Sequence, residues 1–171
     1  MSHTTNLTEV HMSSTEMSGD TATGASGAPG YPMALEVTTL PVADVDRAKA
    51  FYQGLGWRLD IDFMPGENTR GVQFTPPGSP TSIQFGKGTN TMEPGSLQGL
   101  ILVVDDIDAA RDDLISRGVD VGEVWHLDLE KGQQPGHDPE GRSYANRAIF
   151  ADPDGNQWQL QQITERLPGR V

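Results

Sequence analysis

The stretch Val42-Ala43-Asp44-Val45-Asp46-Arg47-Ala48 reappears 62 residues later as Val104-Asp105-Asp106-Ile107-Asp108-Ala109-Ala110. The same spacing relates Gly56 to Gly118, so the similarity continues beyond these seven positions. A repeat of this length indicates two copies of one structural unit packed against each other. Because ligands often bind in clefts between such units, the repeat predicts both the architecture and the position of a binding site.

Each copy predicts a strand, a helix and then three strands. The helices are expected to begin after the N-cap residues Asp44 and Asp106 and to end near Gly56 and Gly118. β-Branched and apolar runs bounded by Gly and Pro indicate the strands. In the first copy these are 35–42, 57–63, 70–75 and 81–86, and in the second copy they are 97–104, 119–124, 143–150 and 156–163.

The second copy is longer than the first. Ile83-Gln84-Phe85 resembles Trp158-Gln159-Leu160, and these glutamines are 75 residues apart rather than 62. About 13 additional residues therefore lie in the second copy, and the Gly- and Pro-rich stretch 126–142 is where we expect them. We interpret this stretch as a loop that forms a lid over the site.

The predicted domain covers residues 34–165, with modules at about 34–90 and 97–165. Residues 1–33 are rich in Ser, Thr and Gly and contain no Lys or Arg, which predicts a disordered N-terminal tail. The chain has no Cys, which excludes disulfides and thiolate chemistry, and it has no apolar run long enough to span a bilayer. We therefore expect a cytoplasmic protein.

The formal net charge of −12 disfavours nucleic acid and anionic membranes as partners. A neutral or cationic small molecule is the better match to such a surface.

Two motifs resemble the vicinal oxygen chelate superfamily, which includes glyoxalase I, extradiol dioxygenases and bleomycin-resistance proteins. The first motif is the run 40–48 followed by Phe51-Tyr52 and Leu55-Gly56, and the second is Phe150-Ala151-Asp152-Pro153-Asp154-Gly155-Asn156 followed by 158–160. The resemblance covers residues 35–163. It implies an α+β fold of two tandem βαβββ modules with curved sheets around a cavity, and it implies a homodimer.

Metal-dependent members of this superfamily carry ligands at four strand positions. By the resemblance, these positions fall on Val37, Gln84, Gly99 and Gln159. Val and Gly offer no ligating side chain, and two neutral amides are a poor set for a divalent cation. We therefore predict no metal site of the family type and no cofactor.

Several side chains are candidates for the site. If the family register holds, Gln84, Gln159, Gln161 and Thr39 face the cavity and contact a ligand through hydrogen bonds. Trp125 is expected to stack on the ligand, and Arg142 to bind an acidic group. His126 and Tyr144 are the candidates for acid–base chemistry.

These features predict a metal-independent small-molecule binding protein, as in the bleomycin-resistance branch. The alternative is a lyase, isomerase or epimerase that acts on a small oxygenated metabolite. Such an enzyme would use a metal site built by residues 126–142 or the metal-free groups His126 and Tyr144. A third possibility is a dimerising scaffold that has lost its ligand. The residues alone do not decide whether the protein is an enzyme.

Overall fold

The computed structural model describes residues 31–169, and the predicted tail, apart from its last three residues, lies outside this range. The first module is a four-stranded sheet in the order β1-β4-β3-β2, with β1 parallel to β4. Its elements are β1 (Val37–Thr39), α1 (Val45–Gly54), β2 (Arg58–Gly66), β3 (Thr69–Thr75) and β4 (Ser82–Lys87). This is the predicted order of strand, helix and three strands.

The second module repeats this topology and adds one strand at the edge, in the order β5-β9-β8-β6-β7. Its elements are β5 (Leu100–Val104), α2 (Ile107–Ser116), β6 (Trp125–Asp128), β7 (Gly132–Pro135), β8 (Asn146–Ala151) and β9 (Gln157–Gln162). Strands β5 and β9 are parallel, as β1 and β4 are. The mixed α+β fold with paired βαβββ modules is therefore confirmed.

One strand prediction was wrong. Residues 119–124 are not a strand, because Val121 forms only a single bridge to Phe150 and Arg111 binds the carbonyls of Val121 and Gly122. The valines of this segment pack into the core instead of a sheet. The corresponding strand is β6, which begins at Trp125.

The predicted lid at 126–142 is also not a loop. Its first ten residues form the β6–β7 hairpin, and β6 pairs with β8, so the insertion widens the second sheet. The first module has only Glu67 and Asn68 between its corresponding strands β2 and β3. The additional residues therefore lie in the part of the second module where the spacing of the two repeats predicted them.

Both helices begin at the predicted caps. The carboxylate of Asp44 accepts a hydrogen bond from the backbone N of Arg47, and that of Asp106 accepts from Asp108 and Ala109. Each cap satisfies amide groups that have no partner inside the helix. Among the described residues, no helix is both long and apolar enough to cross a membrane.

One hydrophobic core joins the two modules. Tyr52 of α1 is fully buried, and its ring lies 6.3 Å from the ring of Trp158 on β9. The Tyr52 hydroxyl donates to Asp152 Oδ2 at 2.9 Å and accepts from Trp158 Nε1 at 3.1 Å. Burial, followed by the charge of Asp152, raises the pKa of Tyr52, so the phenol remains a hydrogen-bond donor.

The turn between β8 and β9 is fastened to the first module. Asp152 Oδ1 accepts from three successive backbone amides, at 154–156. Asp154 Oδ1 accepts from the backbone N of Ala43 and from the Arg47 guanidinium. Residues that are 107 to 111 positions apart are therefore linked directly.

Candidate functional site

Each sheet packs one face toward the core and its helix, and turns the other face away. Alternating burial along the strands separates the two faces, because successive side chains point to opposite sides. We call the away-facing side chains of the first sheet the first outer face, and it includes Thr39, Asp60, Ile61, Phe63, Gln73 and Gln84. The second outer face includes Ile101, Val103, Trp125, Leu127, Arg147, Ile149, Gln159 and Gln161.

The second outer face brings together three of the predicted ligand contacts. Trp125 pairs with Arg147 across β6 and β8, and Arg147 pairs with Gln161 across β8 and β9. Gln159 is two residues from Gln161 on the same strand and therefore shares its side. An indole ring, a guanidinium and two amides thus lie in one continuous patch.

Arg147 connects the parts of this patch. Its guanidinium carbon lies 5.4 Å from the centroid of the Trp125 ring, which is a cation–π distance. Its Nε is buried and has no hydrogen-bond partner among residues 31–169. Gln161 donates through Nε2 to the carbonyl of Tyr144 at 2.9 Å, which fixes its side chain.

Thr39 and Gln84 also lie together, but on the first sheet. Gln84 Nε2 donates to Thr39 Oγ1 at 2.8 Å, so the amide oxygen of Gln84 is left to accept from another group. Beside them, Thr75 hydrogen-bonds to the carboxylate of Asp60 and to Ser82. The Thr75 hydrogen bond is the main cause of the lowered pKa of Asp60. The part of the first outer face around Thr39 and Gln84 is therefore polar and carries a carboxylate.

Tyr144 and Arg142 line a cavity of about 220 Å³ at the end of the second outer face, together with Arg147 and the apolar side chains of Leu127 and Leu129. Tyr144 has a φ of 70°, in the left-handed region that residues with a Cβ rarely adopt. Its backbone N donates to the Gln162 carbonyl, and its hydroxyl accepts from the backbone N of Leu167. Such strained conformations tend to occur where a ligand is held.

Arg142 forms an ion pair with Asp138. Its guanidinium donates to the buried carboxylate of Asp138 at 2.6 Å, and its backbone N also donates to Asp138. These bonds lower the pKa of Asp138 to about 2, so Asp138 is ionised at neutral pH. The positive charge of Arg142, predicted to hold an acidic group of a ligand, is therefore compensated within the protein.

His126 lies on the opposite side of the second sheet from Trp125. It pairs with Asn146, it is buried, and its Nδ1 lies 2.9 Å from the carbonyl oxygen of Gly136. His137 contacts Asp108 of α2 rather than His126. The structure therefore does not bring His126 and Tyr144 to one surface, as joint acid–base chemistry would require.

The four positions that correspond to the metal ligands do not fit a divalent cation. Val37 and Gly99 offer no donor atom, and Gln84 and Gln159 belong to different sheets. Within residues 31–169, no group of three His, Asp or Glu side chains converges in a way that could hold a metal ion. Within the 126–142 stretch, His126 and Asp128 lie on the same side of β6, but no third His, Asp or Glu side chain of the described residues joins them to form such a group.

A second cavity, of about 360 Å³, lies where β1 of the first module approaches β5 of the second. Leu35, Ile83, Ile101 and Trp158 are among its lining residues. None of the predicted ligand contacts lines it, so its volume alone does not make it the candidate site. The chemistry of the outer faces is the stronger criterion.

Sequence reasoning missed Arg147 and Asp60 as members of the outer faces. Arg147 could be assigned to the second outer face once it was placed beside Trp125 and Gln161. This placement requires knowing that β6 pairs with β8 and that β8 pairs with β9. Asp60 lies at a β-bulge between Leu59 and Ile61, where simple alternation fails. In both cases the missing information is strand register.

Comparison with known proteins agrees with this architecture. The family model for the Glyoxalase/Bleomycin resistance protein/Dioxygenase superfamily matches residues 34–160. TnmS3, an antibiotic binding protein from Streptomyces sp. CB03234, is 35% identical with a TM-score of 0.60, over 77% of this chain and 97% of that chain. A glyoxalase/bleomycin resistance protein from the same organism is 36% identical with a TM-score of 0.57, over 75% of this chain and 100% of the other.

A member of the same superfamily from Sphaerobacter thermophilus DSM 20745 is 30% identical with a TM-score of 0.58, over 77% of this chain and 98% of that chain. No curated protein matches at a significant level. The resemblance inferred from the two sequence motifs is thereby confirmed.

Proposed function

Because the chain belongs to the Glyoxalase/Bleomycin resistance protein/Dioxygenase superfamily, we propose that it binds a small organic molecule and sequesters it without a metal ion. The ligand lies against the second outer face and is contacted by Trp125, Gln159 and Gln161. TnmS3, at 35% identity, is an antibiotic binding protein, which supports an antibiotic or a comparable metabolite as the ligand.

One observation carries this proposal, namely that Trp125 shares an outer face with two neutral amides and an arginine. An aromatic ring offers a large flat contact area, and amides can donate and accept hydrogen bonds. This combination is typical of ligand pockets, in which a few polar groups orient a largely apolar molecule. Thr39, Gln84 and their neighbours on the first outer face would form the opposite wall of the ligand site.

Metal independence is supported by the donor set. The superfamily positions hold Val37 and Gly99, so at most two amide oxygens remain for a cation. Chemistry that needs a Lewis acid at those positions has no protein ligands to support it. The alternative enzyme would use a metal site built by residues 126–142 or the groups His126 and Tyr144. Among the described residues no three such ligands converge, and His126 is buried on the side of the second sheet opposite Trp125.

A homodimer is part of the proposal, because each outer face leaves large apolar side chains uncovered in one chain. Ile101 is 52% exposed on the second outer face, and Phe63 is 61% exposed on the first. A partner that covers these faces would also enclose a ligand between two walls. A cytoplasmic location remains a prediction from the lack of Cys.

The test is a binding titration with bleomycin and with 2-naphthamide, a flat aromatic amide, followed by calorimetry. We expect saturable binding of at least one probe in the metal-free protein, and a loss of about tenfold or more in Trp125→Ala because the stacking surface is removed. The control is Trp57→Phe, a core position away from the outer faces. Binding that is equal in Trp125→Ala and the wild-type protein would contradict the proposed site.

Metal independence needs its own measurement. Elemental analysis of the purified protein and thermal shifts with Zn²⁺, Ni²⁺, Mn²⁺, Fe²⁺ and Mg²⁺ should give no stoichiometric metal and no stabilisation. One metal ion per chain with micromolar affinity, lost in the Gln84→Ala/Gln159→Ala double variant, would refute this part of the proposal.

A further inference from the structure

We propose that Arg147 forms the anion-binding end of the ligand site and selects aromatic molecules that carry one acidic oxygen group, such as a carboxylate or an ionised phenol. The inference rests on the proposed function and adds the chemical class of the ligand. It assigns the 220 Å³ cavity beside Tyr144 as the place where the acidic group is held.

In contrast to most arginines of the described residues, Arg147 has no carboxylate that compensates its charge. Six arginines of the described residues have a carboxylate within 3 Å of the guanidinium, namely Arg47, Arg58, Arg70, Arg111, Arg117 and Arg142. Arg147 forms no ion pair within residues 31–169, although its side chain is partly buried. In a chain with a net charge of −12, an uncompensated and partly buried arginine is a specific feature.

The guanidinium of Arg147 has a hydrogen-bond donor that is not used by the described residues. The Trp125 ring stabilises the positive charge through its face, but it accepts no N–H hydrogen bond of the kind that a carboxylate accepts. The buried Nε of Arg147 has no acceptor within the part of the chain that the structure describes. A buried donor without a partner costs free energy, and an acidic oxygen from a ligand would remove that cost.

The guanidinium of Arg147 lies beside an aromatic ring and a cavity. Trp125 lies on one side of Arg147, and the cavity lined by Leu127, Leu129 and Tyr144 lies beside it. These side chains give the cavity apolar walls that the ring of a ligand can contact. Arg142, at the rim of the same cavity, is held by Asp138 and leaves the acidic group to Arg147.

The cavity beside Arg147 limits the size of the group that it can hold and thereby the orientation of the ligand. A cavity of about 220 Å³ accommodates a carboxylate or phenol with part of a ring, while the rest of a planar ligand extends over Trp125, Gln159 and Gln161. The net charge of the chain disfavours ligands with several negative charges. This revises the expectation of a neutral or cationic ligand, because the local charge at the site is positive.

The experiment compares 2-naphthoate with 2-naphthamide, which have the same ring system and differ in the acidic group. We expect 2-naphthoate to bind about 10- to 100-fold more tightly at pH 7.5, because a hydrogen bond to a charged group is stronger than one to a neutral group. In Arg147→Gln this preference should fall to about one, because the charged donor is lost. Arg147→Lys should retain part of the preference, because it keeps the charge and loses the planar donor geometry.

The matched control is Arg111→Gln, which makes the same change in charge at an arginine that binds Val121, Gly122 and Glu123. It should leave the preference unchanged. If Arg147→Gln is poorly folded, NMR of the wild-type Arg147 Nε–H provides a second measurement, since its signal should shift with 2-naphthoate and not with 2-naphthamide.

The outcomes separate this inference from the proposed function. Equal binding of the two probes, or a preference that persists in Arg147→Gln, overturns the role of Arg147 and leaves the binding function in place. Binding of neither probe nor bleomycin overturns both.

Discussion

Tyr52 and Asp152 are the residues through which the two modules hold each other. The Tyr52 hydroxyl accepts from Trp158 and donates to Asp152, and Asn156 Nδ2 also donates to Asp152 at 2.8 Å. All of these groups are buried. A buried network is stabilising only while each member has its partners, so the loss of one hydroxyl affects several groups.

Tyr52→Phe should destabilise the protein by about 1–3 kcal/mol, because it leaves the indole N–H of Trp158 buried without an acceptor. Urea unfolding followed by circular dichroism measures the change. The control is Tyr31→Phe, the same substitution at an exposed side chain, which should have no effect. If the two variants have equal midpoints, the network contributes less than its geometry indicates.

At the scale of single residues, the sequence predicted the positions of some side chains and not of others. Gln159 and Gln161 could be assigned to one face because alternation on a single strand requires no knowledge of its neighbours. The pairing of Arg142 with Asp138, four residues earlier, was not predicted, because it depends on the path of the backbone between them. The isolation of Arg147 is a property of its surroundings, which only the folded chain defines.

The β6–β7 hairpin and the segment after it are the elements that distinguish the second module. Asp138 fastens this segment, since its carboxylate accepts from Arg142 and its backbone N donates to Asn146 on β8. Counting residues between repeats was enough to locate the insertion. It was not enough to predict a hairpin, because Gly132-Gln133-Gln134-Pro135 lacks the β-branched residues that favour strands.

Asp138→Asn should destabilise this segment at neutral pH, and the difference from the wild-type protein should shrink in acid. The pKa of Asp138 is lowered to about 2 in the folded protein, below the value of about 3.9 for a free Asp. The stabilisation is therefore complete above about pH 5 and is lost as the pH falls toward 2.

Hydrogen exchange of the 136–146 amides at several pH values measures this effect. Asp120→Asn, at an exposed carboxylate, provides the control. A difference between Asp138→Asn and the wild-type protein that stays constant from pH 7 to pH 2.5 would contradict the assignment.

At the scale of the whole molecule, the internal repeat determined the architecture. Duplicated caps at Asp44 and Asp106 predicted both helices, and matching strands predicted two sheets of similar order. The repeat could not predict which surface covers the outer faces. In a single sequence, nothing distinguishes an exposed apolar side chain from a buried one.

The protein should form a homodimer through its outer faces, and Ile101→Asp should weaken the dimer by roughly tenfold or more, because a carboxylate would be placed in an apolar contact. Light scattering coupled to size-exclusion chromatography measures the mass over a range of concentrations. The control is Ile115→Asp, at an isoleucine of α2 that is 44% exposed and belongs to neither outer face. A monomeric wild-type protein, or equal effects of the two variants, would contradict this prediction.

Successive side chains of β8 and β9 point alternately into the core and onto the second outer face. Ala148, Phe150, Trp158 and Leu160 fill the core, and the side chains between them form the second outer face. Mutations at the intervening positions leave the interior packing untouched, so natural selection can alter recognition without first having to restore folding. A lineage that inherits this arrangement can acquire new ligands by substitution at a few alternate positions, which makes the scaffold highly evolvable.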